Sequence, residues 1–223
     1  MANNVLNRLT VSGTDEIISK VYDFVKGDNT LIDFNKIVPM PESLDIPEST
    51  ITAEAEAYVI VHERMGLDPR PYNYNKFPHH DSIKGDSEKL EQYLQLGRQA
   101  NDNRMKYRFP TWYGWRRKHW GTKWNSYDSK RVDERVVFFM TAWNGVPDLM
   151  QELASKFPDA AICYEFADDV NNCGSYSFYN STTEDRSPEP CSAEAYELCF
   201  DLGLILRDDF EYTDGEYKRR SND

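Results

Sequence analysis

The chain lacks any apolar run of the roughly 18 residues that a membrane helix needs. Its mean hydropathy of -0.74 points the same way, and no membrane partner is expected. It also lacks a Cys-x-x-Cys pair: Cys163, Cys173, Cys191 and Cys199 are scattered. That spacing excludes an iron–sulfur run and fits reduced thiols. Met1-Ala2-Asn3-Asn4 has neither the basic nor the apolar part of a signal peptide, so a cytoplasmic location is expected. There is no glycine-rich phosphate loop, Gly-x-Ser-x-Gly elbow or Cys/His nucleophile pair. No catalytic motif is recognisable, and no catalytic residue, cofactor or metal is assigned.

Positive charge is scarce too. The net charge of -12 disfavours general nucleic-acid binding, which depends on neutralising phosphates. The deficit is uneven. Between Arg98 and Arg135 eleven bases face four acids, a window of +7 that leaves -19 on the remainder. From Asp159 to Glu216 fifteen acids face only Arg186 and Arg207.

What is present is a pattern of short elements. Val5 to Ser12 reads as a strand ended by Gly13. Thr14 then caps a helix carrying Ile17, Ile18, Val21, Tyr22 and Val25, stopped by Gly27. Leu31 to Val38 reads as a second strand, and Pro39 and Pro41 force an extended departure from it. Helices are expected from Thr50 or Thr52 to about Met65 and from Asp86 or Ser87 toward Met105, with a loop over 66–78. Val132 to Trp143 is apolar on both faces, as in a central strand. A helix follows from Pro147 to Phe157, then a strand over 160–167 and a hairpin partner over 175–180. Ser192 opens a last helix, stopped by Gly203. Leu204 to Tyr212 reads as a short edge strand, and the charged tail beyond Asp214 is expected to be disordered.

The order predicts an α+β fold: a ferredoxin-like, split β-α-β antiparallel sheet with a C-terminal hairpin and helix extension. The expected organisation is one ferredoxin-like domain over 1–223. A helical, basic, Trp-rich insertion over 45–122 lies between strands two and three.

The chain resembles the YubB-like family of phage- and plasmid-borne proteins with a ferredoxin-like domain. The resemblance rests on Asn3, Leu6 and Asn7, on Ile32 to Pro41 and on Trp120-Gly121-Thr122-Lys123-Trp124-Asn125. Thr141-Ala142-Trp143 before Pro147, Phe157-Pro158, Tyr164-Glu165 and Gly174 complete it. It implies the fold and a mobile-element habitat. It carries no established catalytic residues and transfers none. Pro39, Pro41, Trp120, Trp124, Trp143 and Gly174 are assigned structural roles, with Trp120 and Trp124 expected in the core.

Other residues have the right types for chemistry in the wrong arrangement. His79-His80-Asp81 lacks the distant ligands that complete a metal shell. His62-Glu63-Arg64-Met65-Gly66 opens like a zinc-protease helix, but Gly66 stands where the second histidine belongs. Asp168-Asp169 and Asp208-Asp209 could hold magnesium, yet both fall where turns are expected. The strongest binding candidate is the basic aromatic stretch with Trp112, Tyr113, Trp115, Arg116, Arg117, Lys118 and His119. It offers ring faces for bases and cations for phosphates.

Two readings follow. In the first, the protein is a non-catalytic accessory protein of a phage, prophage or plasmid. It would act through a protein partner of the host or element, including a nucleic-acid-binding or defence protein. In the alternative it binds single-stranded nucleic acid through the insertion.

Overall fold

The computed structural model describes residues 3–63 and 77–220 and divides into two compact units, Met1–Pro39 with His119–Asp223 and Met40–Lys118. Alternation shapes the first strand, β1 (Asn4–Ser12). Val5, Leu9 and Val11 are fully buried on one face with Asn7, while Leu6, Arg8 and Thr10 take the other. Helix α1 (Asp15–Val25) starts where the Thr14 hydroxyl accepts the Ile17 N–H, and Asp15 and Glu16 oppose its dipole. Its buried stripe is Ile18, Val21, Tyr22 and Val25. Residues 31–38, expected as a strand, form instead one helical turn, α2 (Phe34–Ile37). Asp33 Oδ1 accepts the Asn35 N–H at 2.9 Å and caps it, so Phe34 and Ile37 are buried together at helical spacing.

The unit over 40–118 is helical among its described residues. A short 3-10 turn over Glu42–Leu44 follows Pro41. Then come α3 (Thr50–His62), α4 (Pro78–Ile83), α5 (Ser87–Tyr107) and α6 (Trp112–His119), the last residue of which belongs to the other unit. Ser49 and Asp86 cap α3 and α5. Helix α5 ends at Arg108, in the left-handed region at φ 72°, just before Phe109-Pro110. Helices α3 and α5 touch backbone to backbone: a Cβ on Gly97 would lie 2.3 Å from the Ala55 carbonyl oxygen. His79-His80-Asp81 sits in α4. Pro78 opens that helix, and the Glu54 carboxylate of α3 accepts the N–H groups of His79 and His80. Most of the expected loop over 66–78, and Arg64-Met65-Gly66 of the zinc-protease-like stretch, lie outside the described residues.

The chain then completes the sheet with β2 (Tyr127–Arg131), β3 (Val136–Ala142), α7 (Pro147–Lys156), β4 (Ala161–Asp169), β5 (Asn172–Tyr179) and β6 (Thr182–Asp185). The strand order is β2-β3-β1-β4-β5-β6, every neighbouring pair antiparallel. Strands β2-β3-β1-β4 with α1 and α7 make the ferredoxin-like arrangement, and β5–β6 extend it. With no strand at 31–38, the helical unit enters between α2 and β2, ahead of the sheet's second strand.

Helix α8 (Ala193–Asp201) covers the other sheet face. Leu198, Cys199 and Leu202 gather with Ala167 against Leu6, Phe138 and Cys173. Past a 3-10 turn over Arg207–Asp209, β7 (Phe210–Thr213) and β8 (Glu216–Arg219) form a separate hairpin. Of the tail expected to be disordered beyond Asp214, Glu216–Arg219 is thus the second strand of a hairpin. Phe210 and Tyr217 from it join Tyr196 and Phe200 of α8 in an aromatic cluster.

Candidate functional site

The residues from Trp120 to Ser126 tie the sheet to the segment before the helical unit. Trp120, 2% exposed, donates its indole N–H to the Val38 carbonyl at 2.9 Å and meets Phe34 edge-on. Asn125 Oδ1 accepts the Phe34 N–H at 2.8 Å, and its amide donates to Asp33 at 2.7 Å. The Ser126 hydroxyl donates to the Ile32 carbonyl. The motifs at 32–41 and 120–125 are therefore two sides of one hydrogen-bonded seam. Pro39 ends the first segment of its unit, and the Pro41 carbonyl accepts the Leu44 N–H at 3.0 Å in the other unit. Gly174 admits the Phe166 ring, which a Cβ would meet at 2.5 Å.

The expected binding stretch is largely turned inward or engaged with itself. Trp115 is 5% exposed and presents no face for stacking. The Arg116 guanidinium lies over the Trp112 ring at 5.0 Å and that of Arg117 over Tyr113 at 5.5 Å. Arg116 also donates Nε–H to Met40 Sδ, and partial burial pulls its pKa down, with Asp45 opposing. Lys118 and His119 are exposed, in different units. Elsewhere in the basic window Arg104 forks onto buried Glu56, and Arg98 onto Glu63.

Several of the candidate metal residues also have structural occupations, although Asp168 Oδ1 is buried with no hydrogen-bond partner among the described residues. Glu54 Oε1 accepts three hydrogen bonds, from the His79 and His80 backbones and the Tyr93 hydroxyl. Tyr58 stacks against His80 at 4.2 Å and lies 4.3 Å from His62. Asp169 Oδ1 accepts the Asn171 and Asn172 N–H groups in a turn. Asp208 and Asp209 are exposed in their 3-10 turn. Among the described residues no three His, Cys, Asp or Glu side chains converge on a metal position.

Sequence reasoning missed an aromatic pair on the sheet unit. Trp124 is 42% exposed, which corrects its expected place in the core, and Trp143 is 47% exposed. Gly121, at φ 80°, turns the chain after Trp120, so the two indoles four residues apart diverge. The Lys123 ammonium lies 4.0 Å from the Trp124 ring and 5.9 Å from that of Trp143. Tyr127 sits edge-on to Trp124 and is fixed by bonds to Asn4 and the Thr141 carbonyl. Beneath them lies a buried polar hub. Asn7 donates to Thr141 Oγ1 and accepts from the Tyr164 hydroxyl, which in turn accepts the Val146 N–H. Thr141 donates onward to the Asn144 carbonyl. The corner that bears Trp143 is thereby fixed from both sides.

The two units differ in charge. Residues 40–118 carry twelve acids and twelve bases, so the whole net charge of -12 belongs to the sheet unit. Of the fifteen acids over 159–216, twelve are exposed. Both arginines of that stretch are already paired, Arg186 with Glu184 and Arg207 with Glu197. The Arg8 pair with Glu165, 2.6 Å across β1–β4, accounts for the charged residue inside an apolar strand.

Residues 119–203 match the family model for the ferredoxin-like domain in Api92-like protein. The match covers the 120–125 side of the seam, the aromatic pair and the sheet from β2 to α8. The chain is also similar to the crystal structure of a protein api92 from Yersinia pseudotuberculosis. That likeness has 11% identity and a TM-score of 0.38, covering 85% of this chain and 100% of that one. No curated protein matches it significantly.

Proposed function

We propose that the protein is a non-catalytic accessory protein of a mobile genetic element that works by binding a protein with a basic surface. The observation that carries this reading is the surface built by residues 159–216. Twelve exposed acids lie there, and the two arginines among them are spent on internal pairs. Lys218, Arg219 and Arg220, on β8 and after it, offset three of the five exposed acids over 208–216, so most of the uncompensated charge belongs to β4–β6, α8 and their loops. A field of one sign steers a partner of the other and suppresses like-charged ones. Host proteins that hold nucleic acid, defence nucleases included, present grooves of the complementary sign. The mobile-element habitat comes from the YubB-like resemblance of the motifs at 32–41, 120–125 and 141–147, and the cytoplasm is its setting.

The test compares two baits in a bacterial lysate treated with nuclease. One is the native protein; the other carries Asp185→Lys, Glu189→Lys, Glu194→Lys and Asp208→Lys. The native bait retains a discrete protein that the reversed bait loses. Equal retention by both baits, or recovery of nucleic acid alone before treatment, contradicts the reading.

A further inference from the structure

Trp143 is an uneconomical residue for folding alone. Its φ of 76° lies in the left-handed region, which costs a non-glycine residue roughly 1–2 kcal/mol. The residue as a whole is 47% exposed. The conformation is held by its N–H on the Asn3 carbonyl and by the Asn172 amide on its own carbonyl. Glycine would satisfy the same backbone bonds without either cost. Such outliers persist where the side chain is used.

Its neighbours show what the side chain suits. Trp124 and Trp143 flank one ammonium, that of Lys123. Among the described residues no carboxylate comes within ion-pair distance of it. Among the described residues, the ring faces of Trp124 and Trp143 are what this cation meets. Exposed Asp128 adjoins Tyr127, and exposed Asp169 accepts the N–H of Asn172, the residue that anchors Trp143. The unit around them carries the entire net charge of -12. A polyanion would meet repulsion here, whereas a cation would meet aromatic faces and carboxylates.

We propose that Trp124 and Trp143 clamp an arginine side chain of the basic partner, in the place that the Lys123 ammonium occupies when the partner is absent. This deepens the reading given above and rests on it. A guanidinium suits the position better than an ammonium, because it is planar, weakly hydrated and stacks on rings. Lys123 is then a competitor that the partner displaces. The role has a sign that separates it from nucleic-acid binding: in a nucleotide site Lys123 would contact phosphate, and its loss would weaken binding.

The experiment titrates the full chain with an oligoarginine peptide and, separately, with a short oligothymidylate, following tryptophan fluorescence. The variants are Lys123→Met, Trp124→Ala and Trp143→Gly, each checked for an unchanged melting temperature. Oligoarginine should bind the native chain, and Lys123→Met should tighten it about threefold. Trp124→Ala and Trp143→Gly should each weaken it by about three- to tenfold, the range of cation–π contacts. If both tryptophan variants bind as the native chain does, while reversal of the 185–208 acids abolishes binding, the clamp is wrong and the acidic-surface reading stands. Oligothymidylate binding that Lys123→Met weakens overturns the clamp in favour of an anionic ligand. Failure of the native chain to bind oligoarginine even at low salt removes both.

Discussion

Tyr164 shows how single residues set the surface from within. Its side chain is fully buried, and burial pushes its phenol pKa far up, so it remains a neutral hydroxyl. That hydroxyl donates to Asn7 at 2.5 Å and accepts the Val146 N–H at 2.6 Å. Tyr164→Phe would keep the ring and strand both partners in a dry site. Each orphaned group costs about 1–3 kcal/mol, so the variant should lose at least about 2 kcal/mol in chemical denaturation. An unchanged midpoint would mean that the hub does not hold the Trp143 corner. None of this was legible from residue type: Asn7 and Tyr164 entered only as residues of the family resemblance, with no role attached. Trp120 and Trp124 misled in a different way. Their spacing allowed either one helical face or a staple of the insertion onto the sheet, but α6 stops at His119 and Gly121 turns the path.

Elements were legible where local chemistry decides them. Thr14 before an apolar stripe, Pro147 at the start of α7 and the alternation of β5 gave those elements directly. The turn at 34–37 was not legible, because Leu31 to Val38 has the composition of a buried strand and the turn's N-terminal N–H groups are met by the Asp33 cap and by Asn125 from a distant segment. Helix α4 was hidden for a tertiary reason: its N-terminal N–H groups are met by Glu54 from another helix. The C-terminal hairpin was hidden by its charge. Glu197 of α8 holds it, accepting from Arg207 and from the Tyr217 hydroxyl of β8. Those bonds, Arg207 first, lower the Glu197 pKa from 4.5 to about 2. A carboxylate depressed in the folded state adds stability above its ordinary pKa and loses it as pH falls through the lower value. Amide protection of Glu216–Arg219 should therefore be full at pH 5 and decline as the pH drops from about 4.5 toward about 2. Protection unchanged down to pH 2 would show that the carboxylate does not anchor the hairpin.

For the whole molecule, the informative quantity is where charge sits rather than how much there is. The +7 window over 98–135 looked like an anionic-ligand site. In three dimensions four of its seven arginines are drawn to Glu63 and Glu56 or onto Trp112 and Tyr113, and the helical unit is neutral as a whole. The sheet unit keeps the acids, and with them the exposed indoles. Pair formation across the chain fold decides this, and a linear count cannot register it. The most direct test is carbodiimide coupling, which joins carboxylates to lysines at zero length. It would be applied to the native chain with the protein it retains from nuclease-treated lysate, and the joined peptides sequenced. The acidic-surface account predicts that the partner's lysines are joined to acids over 159–216. Joints confined to residues 98–118 would contradict it and return attention to the helical unit.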